Sequence, residues 1–279
     1  MPNVLITGAG RGIGRFATLR LARAGWDVFA GVRNDDQGRA LAAELPERIT
    51  PVRLDITSAD DVAALDALLP QQLSGVVNNA GIAVGGPVEA LPPAEWRRQF
   101  DVNLFGQIAV TQAVLPRLRG SGGRIVFVSS VSGRVSTPMT GAYNASKFAL
   151  EATADALRME LRPWHVKVSL IEPAQTDTSM WQDAEATLDE GVAALSAEHR
   201  ELYRKHIEGA RKAIPRIRKL ASDPEGVAAA IERALTARRP RARYAIGANA
   251  KVQALLSAIT PTPLFDATVS KGTGIPRKA

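Results

Sequence analysis

The chain has 279 residues, 46% of them hydrophobic, and a net charge of +7 from 35 basic against 28 acidic side chains. That length allows one large α/β domain or two small ones, and the apolar share is enough for a full core and excludes wholesale disorder. The absence of cysteine excludes disulfides, thiolate catalysis and cysteine-based zinc sites, and the three histidines, His165, His199 and His206, are scattered without metal-ligand spacing, so no metal is expected. No apolar run reaches the length of a membrane span, and MPNVLITGAG reads as core strand rather than signal peptide, so a cytoplasmic protein without integral membrane association is expected. Basic clusters gather late, in RKAIPRIRK, RRPRAR and the tail KGTGIPRKA. Aromatic residues at 5% supply no stacking platform for bases, so these clusters read as a solvated face and nucleic acid is not an expected partner.

In chain order, the first element is the strand NVLITG, which runs straight into GAGRGIGRFATLRLA. Gly8, Gly10, Gly12 and Gly14 line a tight turn where backbone can approach a pyrophosphate, and the helix that follows presents unpaired N–H groups and the positive end of its dipole. The second strand, DVFAGVR, ends in Gly31, Val32 and Arg33. NAD binders place a carboxylate there for the ribose 2′-OH. This chain offers Arg33 instead, with Arg11 in the glycine turn, and two guanidiniums suit a 2′-phosphate, so NADP(H) is favoured over NAD(H). Asp35 and Asp36 lie close by and count against that preference, although they read better as first-turn acids of the next helix, over 36–45.

The alternation continues with the strand ITPVRLD, the helix SADDVAALDALLP with Ser58 as N-cap, and the strand SGVVNNAG. A helical region from Glu95 to Leu118, the strand GRIVFVSS, a helix from Tyr143 to Leu161 and the strand VKVSLIEP complete it. Strand and helix alternating at this spacing imply a doubly wound parallel sheet of Rossmann type with helices on both faces and right-handed crossovers. After Pro173 the polarity is helical but irregular, and about 174–220 reads as a substrate lid. DPEGVAAAIERALTA then opens with a cap and is a clear helix, ARYAIG is an edge-like strand, and KVQALLSAI is the final helix before Pro261, Pro263 and a fraying tail. The expected layout is a single domain over 1–267 with 268–279 as a flexible basic tail.

The stretch GAYNASKFALEA sets Tyr143 four residues before Lys147, on one helix face. At roughly 5 Å and an effective dielectric of about 20, the ammonium would favour the phenolate by about 3 kcal/mol, or roughly two pKa units, bringing the phenol toward the range of a general acid or base. Taken alone such a pair arises by chance on many solvated helices.

Together these motifs resemble the short-chain dehydrogenase/reductase family. TGAGRGIG matches its TGxxxGxG at Thr7, Gly8, Gly12 and Gly14, NNAG over 78–81 matches its post-strand motif, and YNASK supplies its YxxxK pair. Ser130 precedes Tyr143 by the family's 13 residues, Asp55 of LDITS stands where members contact adenine, and Asn103 of DVNLFG matches the helix asparagine of their tetrad. The resemblance covers about 3–180 closely and the general layout to about 260. It implies cofactor contacts at Gly8, Arg11, Gly12, Ile13, Gly14, Arg33, Asp55, Ile56, Asn79, Gly81, Tyr143, Lys147, Thr176 and Thr178.

In the chemistry it implies, Tyr143 exchanges a proton with the carbonyl or hydroxyl oxygen, Ser130 holds the developing oxyanion, Lys147 lowers the tyrosine pKa and holds ribose hydroxyls, and Asn103 relays protons through water to Lys147. One departure is Ala174, where the family has glycine after the sixth-strand proline. SKFALEATADALRMEL and VFAGVRN further resemble the branch of 17β-hydroxysteroid and retinol-type dehydrogenases, which implies a lipophilic alcohol or ketone as substrate. Candidate substrate walls are 82–88, 135–142 and the region of Met180 and Trp181. Family members commonly pair through the YxxxK helix and its neighbour, so a homodimer or homotetramer is expected. Two alternatives stand beside this reading: NAD(H)-dependent alcohol oxidation, and a non-catalytic NADP(H)-sensing protein, which would not need Tyr143, Lys147 and Ser130 together.

Overall fold

The computed structural model describes residues 1–178 and 182–275. Its strands are β1 (Asn3–Thr7), β2 (Asp27–Val32), β3 (Ile49–Arg53), β4 (Gly75–Asn78), β5 (Arg124–Val128), β6 (Lys167–Pro173) and β7 (Arg243–Ile246). They form one seven-stranded parallel sheet in the order β3-β2-β1-β4-β5-β6-β7. β1 pairs with β2 on one side and β4 on the other, so the winding reverses there and a crevice opens beyond the carboxyl ends of those strands. Pro51 sits inside β3 opposite Ala30, tolerated because β3 is an edge strand with no partner on its far side.

Helices α1 (Gly12–Arg23), α2 (Asp35–Glu44) and, from far along the chain, α10 (Pro224–Thr236) cover one face. Helices α3 (Ala59–Leu68), α5 (Gln107–Ser121) and α6 (Gly141–Glu160) cover the other. The period-2 alternation of the strands sorts the core. Val4 and Ile6 turn to the first face with Leu21, Val28 and Ile231, while Leu5 turns to the second with Leu65, Leu118, Phe127 and Leu150. Each of these side chains is fully buried, a contribution of about 1.5–3 kcal/mol apiece. Leu150 and Ala154 seat α6 on the sheet, and Leu150→Ala would cost about 2–5 kcal/mol.

Local caps follow the sequence. Ser58 Oγ accepts from the Asp61 N–H at 3.2 Å, and Asp223 Oδ1 from the Glu225 N–H at 2.8 Å. Asp35 and Asp36 do stand in the first turn of α2, which Asn34 caps by accepting from the Gln37 N–H at 3.1 Å.

Three expectations change. The region Glu95–Leu118 is not one regular helix: α4 (Pro93–Phe100) passes through a π-helical segment, Asp101–Gly106, into α5. Gly106 in that segment lies so close to the loop after β3 that an added Cβ would stand 2.7 Å from the Ile56 carbonyl oxygen. Residues 174–220 resolve into α7 (Ala184–Ala193), α8 (Ala197–Leu202) and α9 (Arg204–Arg218). KVQALLSAI lies in α11 (Ala248–Ile259), and it is not the last helix, because α12 (Thr262–Gly272) follows where fraying was expected. Pro261 and Pro263 start α12 rather than end order, since a missing N–H costs nothing in a helix's first turn. Among the described residues no helix is long and apolar enough to cross a membrane.

Candidate active site

At the end of β1 the fully buried Thr7 hydroxyl accepts the N–H groups of Asn79 and Ala80, each at 3.0 Å. The Asn79 side-chain amide donates back to the carbonyls of Thr7 at 3.0 Å and Gly8 at 3.1 Å. The glycine turn is thereby laced to the end of β4. Gly8 takes φ +64 and Gly12 φ +53, and a Cβ on Gly14 would stand 2.3 Å from the Gly8 carbonyl oxygen. Arg11 precedes α1 without a side-chain cap, and among the described residues no side chain claims the first-turn N–H groups of α1, whose Gly12 and Ile13 line the crevice. Uncapped N–H groups and a turn shaped by glycine fit a pyrophosphate.

Beside the turn, Arg33 extends from the end of β2, exposed and facing the same cleft. The two neighbouring carboxylates are engaged elsewhere, Asp35 with Arg53 at 3.7 Å and Asp36 with Arg39. Arg11 reaches toward Asp183 at 3.9 Å, both well exposed. Asp55 Oδ1 accepts the Thr57 N–H at 2.9 Å and the Thr57 hydroxyl at 2.7 Å. Burial pushes the Asp55 carboxyl up, but the two Thr57 bonds and the Arg33 charge outweigh it and leave it below its ordinary value.

Across the cleft, at the mouth of β5, Ser130 Oγ accepts the Ser132 N–H at 3.1 Å. Tyr143 and Lys147 face it from the first turns of α6. Lys147 is buried, and its Nζ donates to the Val128 carbonyl at 2.9 Å and lies 5.8 Å from the centre of the Tyr143 ring. Burial lowers the lysine to about 8, with Glu151 opposing. The lowered tyrosine pKa expected from Lys147 is not found: burial pushes the Tyr143 phenol up, and the opposing influence is the Ser130 hydroxyl. In this seat desolvation of the ring exceeds any help from an ammonium that is held on a backbone carbonyl.

Every residue expected to serve nucleotide or chemistry lines this one cleft except Gly14 and Asn103. Gly14 lies behind the turn as its support. The Asn103 side chain, fully buried in the π-helical segment, accepts the Ile82 N–H at 2.9 Å and donates to the Ile82 carbonyl at 3.0 Å and to Ser146 Oγ at 3.2 Å. With its amide so committed, it braces the wall at Ile82 and ties it to α6.

A family model described as short chain dehydrogenase matches residues 2–189. The chain belongs to the short-chain dehydrogenase family. It is 34% identical over 281 residues to Retinol dehydrogenase 5 of Mus musculus, covering 96% of this chain and 87% of that one. Estradiol 17-beta-dehydrogenase 2 of Mus musculus is 34% identical over 284 residues, 96% of this chain and 74% of that one, so the likeness runs to the retinol and steroid branch. A solved short chain dehydrogenase from Burkholderia cenocepacia in complex with NADP superposes with a TM-score of 0.75 at 25% identity, over 95% of this chain and 96% of that one. A 3-ketoacyl-(acyl-carrier-protein) reductase from Brucella melitensis complexed with NADH gives 0.70 at 25% identity, over 88% and 96%. The chain is thus an oxidoreductase of a family that binds nicotinamide cofactors.

In this short-chain dehydrogenase the corner after β6 is pinned to the end of β7 at Ala174. The Ala174 N–H donates to the Ile246 carbonyl at 2.9 Å, and its methyl faces Gly247, where an added Cβ would stand 3.2 Å away. Gly247, at φ +98, leaves the space that the Ala174 methyl faces. Thr176 is buried and its hydroxyl donates to the Ala174 carbonyl at 3.2 Å, while Thr178 packs near Gly12. The walls 82–88 and 135–142 are joined by the Gly86 N–H to the Met139 carbonyl at 2.8 Å, with Met139 held at φ +65. Met180 and Trp181 lie outside the described residues.

Several contributors carry no motif. Gln37 covers the glycine turn, its Oε1 lying 2.5 Å from where a Cβ on Gly10 would be. Gln99 accepts the Val84 N–H at 2.7 Å and donates to the Ile82 carbonyl at 2.9 Å, doubling the brace from Asn103. Glu151, Glu172, Arg134 and Arg243 form a charged cluster behind Lys147. Glu151 alone had a signal, its position one helical turn after Lys147.

Proposed function

We propose that this short-chain dehydrogenase uses NADP(H) to interconvert a lipophilic ketone or aldehyde and its alcohol. The observation that carries the reading is the convergence of the Ser130 hydroxyl, the Tyr143 phenol and the Lys147 ammonium on the cleft into which the glycine turn opens. A nicotinamide cofactor, when bound, supplies or takes up the hydride. Tyr143, protonated at neutral pH like any phenol and pushed further that way by burial, gives its proton to a carbonyl oxygen and takes it back in the reverse direction. Ser130 accepts from the Ser132 N–H and its hydroxyl adjoins the Tyr143 phenol, where it can steady the developing oxyanion beside the proton donor. Lys147 uses one of its N–H donors on Val128 and keeps the others for the cofactor's ribose hydroxyls.

Preference for NADP(H) is supported by Arg33, exposed at the end of β2 and facing the cleft, and by the engagement of Asp35 and Asp36 with other arginines. A lipophilic substrate is supported by the apolar walls over 82–88 and 135–142 and by relatives named for retinol and estradiol. The second reading, NAD(H)-dependent alcohol oxidation, has the NADH complex of one solved relative in its favour. Titration with NADPH and NADH, followed by nicotinamide fluorescence, separates the two. NADPH binding should weaken about 10- to 100-fold in Arg33→Ala, the value of a charge-assisted hydrogen bond to phosphate, with NADH unchanged. Tighter NADH binding and no effect of Arg33→Ala would replace the first reading with the second, and turnover of retinoid, steroid and simple aliphatic carbonyls with the preferred cofactor tests the substrate class.

A further inference from the structure

The turn that follows Ser130 and the helix that carries Tyr143 and Lys147 are held together from two sides. On the first, the turn Val131–Gly133 lies directly on α6. A Cβ added to Gly133 would stand 2.9 Å from Glu151 Cγ and 3.1 Å from the Lys147 carbonyl oxygen. A side chain at 133 would therefore push turn and helix apart. The Gly133 N–H donates to the Ser130 carbonyl at 2.9 Å, so a shift of the glycine is passed to the serine.

On the second side, a chain of ion pairs runs from the same turn through two strands to the same helix. Arg134, the next residue after the turn, donates from Nη1 to Glu172 Oε1 of β6 at 3.2 Å. That oxygen lies 3.1 Å from Arg243 Nε of β7. The same Nε donates to Glu151 Oε2 at 3.0 Å, and Arg243 Nη2 donates to Asp155 Oδ2 at 2.7 Å, both acceptors standing on α6. Arg158 also pairs with Asp155, so three carboxylates, Glu151, Asp155 and Glu172, face three guanidiniums, Arg134, Arg158 and Arg243. The side chains of Glu151 and Glu172 are only 7% and 4% exposed. Buried ion pairs are a weak source of stability compared with apolar packing of the same volume. What a balanced chain of them can supply is a fixed relation between the elements it joins.

We propose that Gly133 and Arg134 are positioning residues that set the Ser130 hydroxyl against the Tyr143 phenol, Gly133 by letting the turn lie on α6 and Arg134 through the Glu172–Arg243–Glu151 chain. The inference rests on the reading of Ser130 and Tyr143 as the partners of the substrate oxygen. Neither Gly133 nor Arg134 lines the cleft, so each acts through the main chain that bears Ser130. The nucleotide turn lies on the other side of the cleft and shares no residue with this bracket, so cofactor affinity is outside its reach.

The test measures kcat and NADPH affinity for Gly133→Ala, Arg134→Met and Arg134→Lys, each alone and combined with Ser130→Ala. Gly133→Ala should lower kcat about 10- to 100-fold, the cost of a misplaced reacting group, with NADPH affinity kept. Arg134→Met should lower it by less, and Arg134→Lys should restore part of the loss. In the Ser130→Ala background neither Gly133→Ala nor Arg134→Met should cost anything more, because the group they place is gone. A merely structural role would add its loss in both backgrounds, and that result overturns the proposal, as does an unchanged kcat. If Gly133→Ala does not fold, Arg134→Met, at a partly exposed position, decides alone. A second readout needs no turnover: the 13C resonance of the Tyr143 phenol carbon, assigned with Tyr143→Phe, should move in Gly133→Ala and Arg134→Met in the direction set by Ser130→Ala. A resonance that moves so in a protein that reduces no carbonyl keeps the positioning and removes the catalytic reading, and one that stays in place overturns the positioning.

Discussion

Along the β1–β2 side of the cleft the groups offered to a ligand are main-chain N–H groups and glycine-lined backbone, and the arginines among them, Arg11 and Arg33, stand in solvent. Along the β5–β6 side they are side chains, Ser130, Tyr143 and Lys147, the last fully enclosed and backed by buried carboxylates and arginines. The first side has been shaped by removing volume, so that backbone can approach a phosphate. The second arranges charge, which under the proposed function would serve proton transfer. Space should therefore be the weak point of one side and charge of the other.

The largest effect should come from a change that touches charge and leaves volume alone. Tyr143→Phe should lower kcat by about 10²- to 10⁴-fold, the span of general acid–base contributions, with NADPH affinity kept. Steady-state rates and fluorescence titration check both halves, and a large loss of affinity would mean that the tyrosine is a binding element. On the opposite side, Gly14→Ala adds one methyl group 2.3 Å from the Gly8 carbonyl oxygen and 2.5 Å from Asn79 Nδ2. Denaturant melts should show a loss of about 2–4 kcal/mol together with weakened nucleotide binding. An unchanged melt would show that the turn has more room than the contact implies.

The smallest effect separates function from stability within one residue. Lys147 has a folded pKa of about 8, below its ordinary 10.5, so its charged form is penalised in the native state. That penalty is complete below pH 8 and fades as pH rises toward 10.5. Lys147→Met should abolish turnover while raising stability at pH 7 by about 1 kcal/mol, after allowance for the lost bond to Val128. The gain should shrink at pH 10, where unfolding in urea at the two pH values gives the comparison.

The strands could be read from the sequence because runs such as NVLIT and RIVFV are too apolar to lie anywhere but in a covered sheet, and the glycines after NVLIT have few other uses. Tyr143 and Ser130 could be set together because the family resemblance pairs them at a spacing of 13 residues, and the strand-end position of Ser130 agrees with it. What the sequence does not disclose is how long side chains settle. Asn103 carried a motif, yet its amide goes to the backbone of Ile82, a partner that only the packing of the π-helical segment selects. The direction of the Tyr143 shift depended on burial, which no spacing reveals. Pro261 and Pro263 were ambiguous in kind, since the same residue type ends one helix and begins another.

The bond from Arg243 to Glu151 spans 92 residues of chain. During synthesis α6 and β6 leave the ribosome well before Arg243 exists, and until β7 adds to β6 their acidic groups are better served by water than by one another. The glycine turn needs only β1, α1 and β4, all drawn from the first eighty or so residues of the chain. The last strand at the edge of the sheet is therefore a clasp on the carboxylates of α6 and β6. A nascent chain halted before that strand would carry the glycine turn in full and leave those carboxylates without the arginine they share.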